Sequence, residues 1–174
     1  SNFKSLFENI QQAGINTFVI TGISTDYALL NQQQNNLVFK MSGQREDYSA
    51  QFESQFNLFA LDDIGFEQFP PLQNAFGTIT TNNTVSVLLS SKIRNIETNA
   101  PLLAFAENQG KRSAFLLGEN LWKWRMQSHI DTKSYEKFDV FVDKIIQYLA
   151  SNNSRKSLVV NHESFYNSGE AIEI

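Results

Sequence analysis

Seven apolar side chains, Tyr135, Phe138, Phe141, Val142, Ile145, Ile146 and Leu149, fall on one stripe of a helix, with Ser134 placed as N-cap and Glu136 in the first turn. A helix with one such face needs an apolar surface from another element to cover it. The start of the chain offers candidates. Phe3, Leu6, Phe7 and Ile10 keep the i, i+3, i+4, i+7 spacing of a second amphipathic helix, which Gly14 is placed to end as C′. Thr17-Phe18-Val19-Ile20-Thr21 follows as a continuous β-prone run of the kind that suits a buried parallel strand. Ser24 or Thr25 then caps a helix containing Tyr27, Leu29 and Leu30, and residues 37–41 form the next strand, closed by Ser42-Gly43. Helix, strand, helix, strand predicts a layered α/β domain.

The middle of the chain changes character. Residues 48–58 alternate apolar and polar as a strand does, yet Phe52, Phe56 and Phe59 also fit a helix. A short helix is expected over residues 62–69, ending before Pro70-Pro71. Residues 76–80 and 84–96 read as strands around Asn82-Asn83, and residues 102–106 and 113–117 as a hairpin around Asn108-Gln109-Gly110. Asn152-Asn153-Ser154 ends the last helix, residues 157–160 suit a strand, and a boundary is expected near Asn161. The division is therefore residues 1–160 as one domain and 161–174 as a linker or the start of a β-sandwich module.

Composition removes several functional classes. With 174 residues, 41% of them hydrophobic and 15 of them Phe, the chain can bury a full core. Its cations are scattered and its net charge is −4, which disfavours a nucleic-acid surface. No run approaches the roughly 20 apolar residues of a membrane span, so direct membrane insertion is not expected. There is no cysteine, which excludes disulfides, thiolate metal sites and cysteine nucleophiles. The two histidines, His129 and His162, make a histidine-rich metal site improbable, and no P-loop or dinucleotide fingerprint occurs, so neither a metal nor a cofactor is expected.

Pro101-Leu102-Leu103-Ala104-Phe105, Gly110-Lys111-Arg112 and residues 115–125, with residues 20–26 and 70–72, resemble the amidotransferase-like domain of large membrane-anchored bacterial envelope proteins of unknown function. The most specific piece is residues 118–125. The resemblance implies an α/β three-layer sandwich, flavodoxin- or class I glutamine amidotransferase-like, with a mostly parallel sheet and an antiparallel hairpin portion. It implies first elements lying before residue 1, a periplasmic or otherwise extracytoplasmic location in an inner-membrane protein, and envelope proteins as partners. In the class I architecture a sharp strand-to-helix turn presents a cysteine and a late strand delivers a histidine. Here those places fall at residues 22–25 and at Gly118-Glu119-Asn120, and both catalytic groups are missing. Glutaminase chemistry needs a thiolate with a histidine beside it, so the resemblance implies a non-catalytic domain with an interaction or structural role.

Four residues are the binding candidates: Glu119, Trp122, Trp124 and Arg125. Two Trp at i, i+2 on a helix point to different sides, so one can enter the core while the other faces a partner or stacks on a saccharide at the C-terminal rim of the sheet. Ser24 with His129 is the candidate for a serine hydrolase, although residues 22–26 match G-x-S-x-G only in part and Ser24 serves equally as a helix cap. Asp62 and Asp63 are better explained by a helix N-terminus than by a metal loop.

Overall fold

The computed structural model describes residues 2–151. In chain order the elements are α1 (Asn2–Gln12), β1 (Thr17–Ile20), α2 (Tyr27–Gln33), β2 (Leu37–Phe52), a 3-10 turn (Phe66–Gln68), β3 (Leu72–Thr81), β4 (Val85–Ile93), β5 (Ile96–Asn108), β6 (Lys111–Leu116), α3 (Trp122–Thr132) and α4 (Glu136–Ala150). The six strands join in the order β1-β6-β5-β4-β2-β3. The expected boundary at Asn161, the strand over residues 157–160 and His162 lie outside the described residues.

The sheet corrects the expectation of a mostly parallel, flavodoxin-like or amidotransferase-like fold. Only β1 and β6 run parallel, and the other four neighbouring pairs are antiparallel. The reason lies in the connections. β4 turns into β5 through Arg94-Asn95 at φ 51° and 65°, and β5 into β6 through Gln109-Gly110 at φ 51° and 78°. Two-residue turns with both residues left-handed reverse the chain at once, whereas a parallel neighbour needs a crossover of a dozen residues or so.

Several other elements differ from the sequence expectation. The 37–41 strand does not stop at Ser42-Gly43. It shifts register between Met41 and Arg45 and continues to Phe52, pairing with β3 up to Tyr48 and with β4 only over Ser49, Ala50, Gln51 and Phe52. The β2–β3 arm therefore leaves the main sheet. Against β5, the register of β4 shifts three times near Pro101, which has no N–H to donate. The helix expected over residues 62–69 is only the 3-10 turn; Asp63 accepts from the N–H groups of Gly65 and Phe66 at 2.9 and 3.1 Å, which accounts for one of the two adjacent aspartates. β1 is an edge strand rather than a buried one, and Ile20 is exposed.

Side chains alternate between the two faces of the sheet, most plainly on β6. Ala114 and Leu116 join the larger core with Phe105, Trp124, Phe138 and Phe141, so α3 and α4 cover that face. Phe115, followed by Leu117, joins Tyr27, Leu30, Phe39 and Ala75, so α2 and the β2–β3 arm cover the other. α1 closes with Gly14 at φ 63°, and the N–H groups of Gly14 and Ile15 reach the carbonyls of Gln11 and Ile10 at 3.2 and 3.1 Å. α2 is capped by Asp26, which accepts from Leu29 N at 2.9 Å, rather than by Ser24 or Thr25. Among the described residues no helix is long and apolar enough to cross a membrane.

Candidate functional site

The β6–α3 junction is built by close approaches. A Cβ on Gly118 would sit 2.6 Å from the Leu72 side chain, and one on Gly22 would sit 2.1 Å from a Glu119 carboxylate oxygen. Gly118 requires glycine, because the start of β3 crosses the end of β6 here, whereas a side chain at Gly22 would need the Glu119 carboxylate to swing away. Gln73 and Glu119 exchange two main-chain hydrogen bonds at 2.8 and 3.2 Å. Beneath them Asn74 is fully buried. Its amide nitrogen donates to Thr21 Oγ1 at 3.2 Å and to the Leu117 carbonyl at 3.0 Å, and its oxygen accepts from Ala75 N at 2.7 Å and from the Tyr27 hydroxyl. Burial holds the Tyr27 hydroxyl above its ordinary pKa.

From this junction α3 begins. Asn120, at φ 76°, donates through Nδ2 to Gln73 Oε1 at 3.0 Å and accepts weakly from Trp122 Nε1 at 3.4 Å. The two tryptophans take opposite roles. Trp124 has no exposed surface; it packs on Phe66 and Phe69, with ring centres at 5.8 and 5.6 Å, and donates Nε1 to the Pro70 carbonyl at 2.7 Å. It is unavailable to any partner or saccharide. Trp122 is 63% exposed.

Met126 and Ile130 continue outward from Trp122 and are 44% and 58% exposed. Their i+4 and i+8 spacing puts all three on one exposed face of α3. Neither Met126 nor Ile130 stands out as a single residue in the sequence; the signal was their spacing from Trp122. Arg125 does not join this stripe. It makes a two-pronged ion pair with Asp139 at 2.8 and 3.0 Å and lies 4.0 Å above the Tyr135 ring, fastening α3 to α4. The Arg125 guanidinium also holds the Asp139 carboxyl below its ordinary pKa.

Ser24 and His129 are not brought together. Ser24 is exposed in the β1–α2 turn, on a shallow cleft shared with Ile20, Asp26 and Leu29. His129 lies on α3, across the sheet from α2, with its ring stacked on Tyr135 at 4.4 Å. Glu119 is partly exposed and sits over Gly22, near Trp122 in chain position but with no side-chain bond to it. Among the described residues no cluster of three or more His, Asp or Glu could hold a metal ion.

No protein-family model matches this chain, and no curated protein matches it. Its fold is similar to a solved one. The structure described as "mmIFT52 N-terminal domain" superposes with a TM-score of 0.51 at 13% identity, covering 88% of this chain and 72% of that one. At that identity the likeness concerns fold alone, and it goes with the mixed, mostly antiparallel sheet rather than with a flavodoxin or amidotransferase arrangement.

Proposed function

We infer that this domain is a protein-interaction module that presents the outer face of α3 to a partner protein. The observation that carries the reading is the exposed row Trp122, Met126 and Ile130 on a helix locked from beneath by Trp124 and from the side by Arg125. Large apolar side chains in a row on a rigid element are what a hot spot requires, since the backbone that presents them does not have to be ordered on binding. The placement of Ser24 and His129 on different sides of the sheet favours this reading over serine hydrolysis. An extracytoplasmic setting in an envelope protein accords with the absence of cysteine. A topology reporter fused to the full-length gene product tests that setting.

The interaction is tested by placing a photo-crosslinking amino acid at position 122, 126 or 130 in cells, with position 80 on β3 as the control. Crosslinks to a common protein from the three α3 positions, absent from the control, are expected. A folded Trp122→Ser, Met126→Ser, Ile130→Ser variant that retains all of the domain's partners would show that the face is not an interface.

A further inference from the structure

A second feature lies at the other end of β1 and β6. There the first residues of both strands, the C-terminal end of α2, the β5–β6 turn and α1 enclose a cavity of about 330 Å³. Its composition is unusual. Phe7 and Phe115 supply apolar wall, and most of the rest is carboxamide: Gln11 and Gln33 from the helices, Asn36 after α2, and Asn108 and Gln109 from the hairpin. Lys111 is the single charged residue among the lining residues, and no carboxylate is among them.

Some of these amides are committed. Asn108 Nδ2 donates to Asn36 Oδ1 at 2.7 Å, and the Gln34 side chain clasps the main chain of Leu37 at 2.7 and 2.9 Å. Gln33 is different. Only 8% of the residue is exposed, and its bond with Gln11 uses the main-chain carbonyl. Among the described residues its carboxamide has no hydrogen-bond partner. An amide that opens onto a cavity without a protein partner keeps both its donor and its acceptor available to a ligand. Here it borders a cavity large enough to admit one.

We propose that this cleft binds a monoanionic, hydroxyl-rich small molecule of monosaccharide size, a uronic acid, with the Gln33 amide bonding to ring hydroxyls and Lys111 pairing with the carboxylate. A primary amide offers a donor and an acceptor side by side, the complement of two adjacent hydroxyls. The aromatic wall suits the C–H face of a sugar ring. An ammonium group in a cleft without competing carboxylates selects an anion, and partial burial, which lowers the Lys111 pKa, strengthens its attraction for one. The volume falls at the small end of the roughly 300–1,000 Å³ typical of ligand sites, which limits the occupant to one ring. The proposal is independent of the α3 interface, which lies at the opposite end of these strands.

The test is a titration of the ¹⁵N-labelled domain with sodium glucuronate, with glucose and sodium acetate as separate arms. Glucuronate should shift the side-chain amide signals of Gln33 and Asn108 with a Kd on the order of 1 mM. Glucose and acetate should each bind at least ~10-fold more weakly, since each lacks half of the recognised chemistry. Lys111→Gln should reduce glucuronate affinity by ~10-fold while leaving the weak glucose response unchanged, and Gln33→Leu should weaken both sugars. Lys111 is partly exposed, so its variant keeps the test usable if Gln33→Leu fails to fold. No shift in the cleft with glucuronate, an equal response to glucose, or an equal response to acetate would each overturn the proposal.

Discussion

The two faces of the sheet are held by different chemistry. Beneath α3 and α4 a network of rings runs through a bed of leucines: Trp124, Phe66, Phe69, Phe105, Phe138, Phe141 and Tyr148 pack with centre separations of 5.1 to 6.5 Å. On the α2 side a smaller apolar cluster is stitched by Asn74, Thr21 and Tyr27, whose polar atoms bond one another and the main chain. The difference teaches where each face draws its stability. The aromatic face depends on area removed from water and on shape. The other depends on every buried polar atom having a partner, so its geometry is more exacting and its margin smaller.

The largest effect should come from the aromatic face. Trp124→Ala is expected to destabilise the domain by about 3–5 kcal/mol in urea unfolding, because a fully buried ring and its bond to Pro70 are both lost. A loss under about 1 kcal/mol would show that this face is not the dominant core. Next comes Asn74→Ala, for which about 2–3 kcal/mol is expected from the partners left unsatisfied at Leu117, Thr21 and Tyr27.

Removing one hydroxyl on each face sharpens the contrast. Tyr27→Phe should cost about 1–2 kcal/mol, since the buried Asn74 Oδ1 loses a donor. Tyr148→Phe should be neutral or slightly stabilising, because that hydroxyl is buried with no partner among the described residues. If the two losses came out equal, the distinction between the faces would not hold. The same groups set an alkaline limit. Burial raises the pKa of Tyr27, Tyr48 and Tyr148 above their ordinary value of 10.0, so above that pH the unfolded chain releases protons that the native state retains. Their contribution is complete below pH 10.0 and is lost as pH rises through the native values, so stability should fall on that limb and fall less steeply in Tyr27→Phe. The smallest effect belongs to Trp122→Ala, expected within about 0.5 kcal/mol of the parent, as its ring is largely in water.

Parts of the molecule were legible from residue order because they depend on local physics. Most of the α4 stripe, the Gly14 stop and the hairpin at Gln109-Gly110 each follow from periodicity or from backbone freedom within a few residues, although Ile146 of the stripe is exposed and Tyr135, not Ser134, is the N-cap. The polar run from Ser42 to Asp47 concealed the continuation of β2, since residues exposed on both sides of a two-stranded arm carry no apolar alternation. The turn at Arg94-Asn95 was hidden because Arg is not a residue that announces a left-handed turn. At the candidate interface the division of roles between Trp122 and Trp124 was anticipated in form, but which one entered the core was not. The five-amide run from Gln32 to Asn36 carried no signal at all until the β5–β6 turn closed a cavity against it.

Residue order by itself determined that this chain has no thiol chemistry, that it buries an aromatic core, that α1 and α4 are amphipathic and that α1 stops at Gly14. Those are properties of composition and of neighbours a turn apart. The direction of the strands, the reach of β3 across β1 and β6, the opposite fates of the two tryptophans and the meeting of Gln33 with Lys111 were decided only in three dimensions. An apolar run satisfies a parallel or an antiparallel neighbour equally well, and groups far apart in the chain acquire a common environment only when the sheet brings them together.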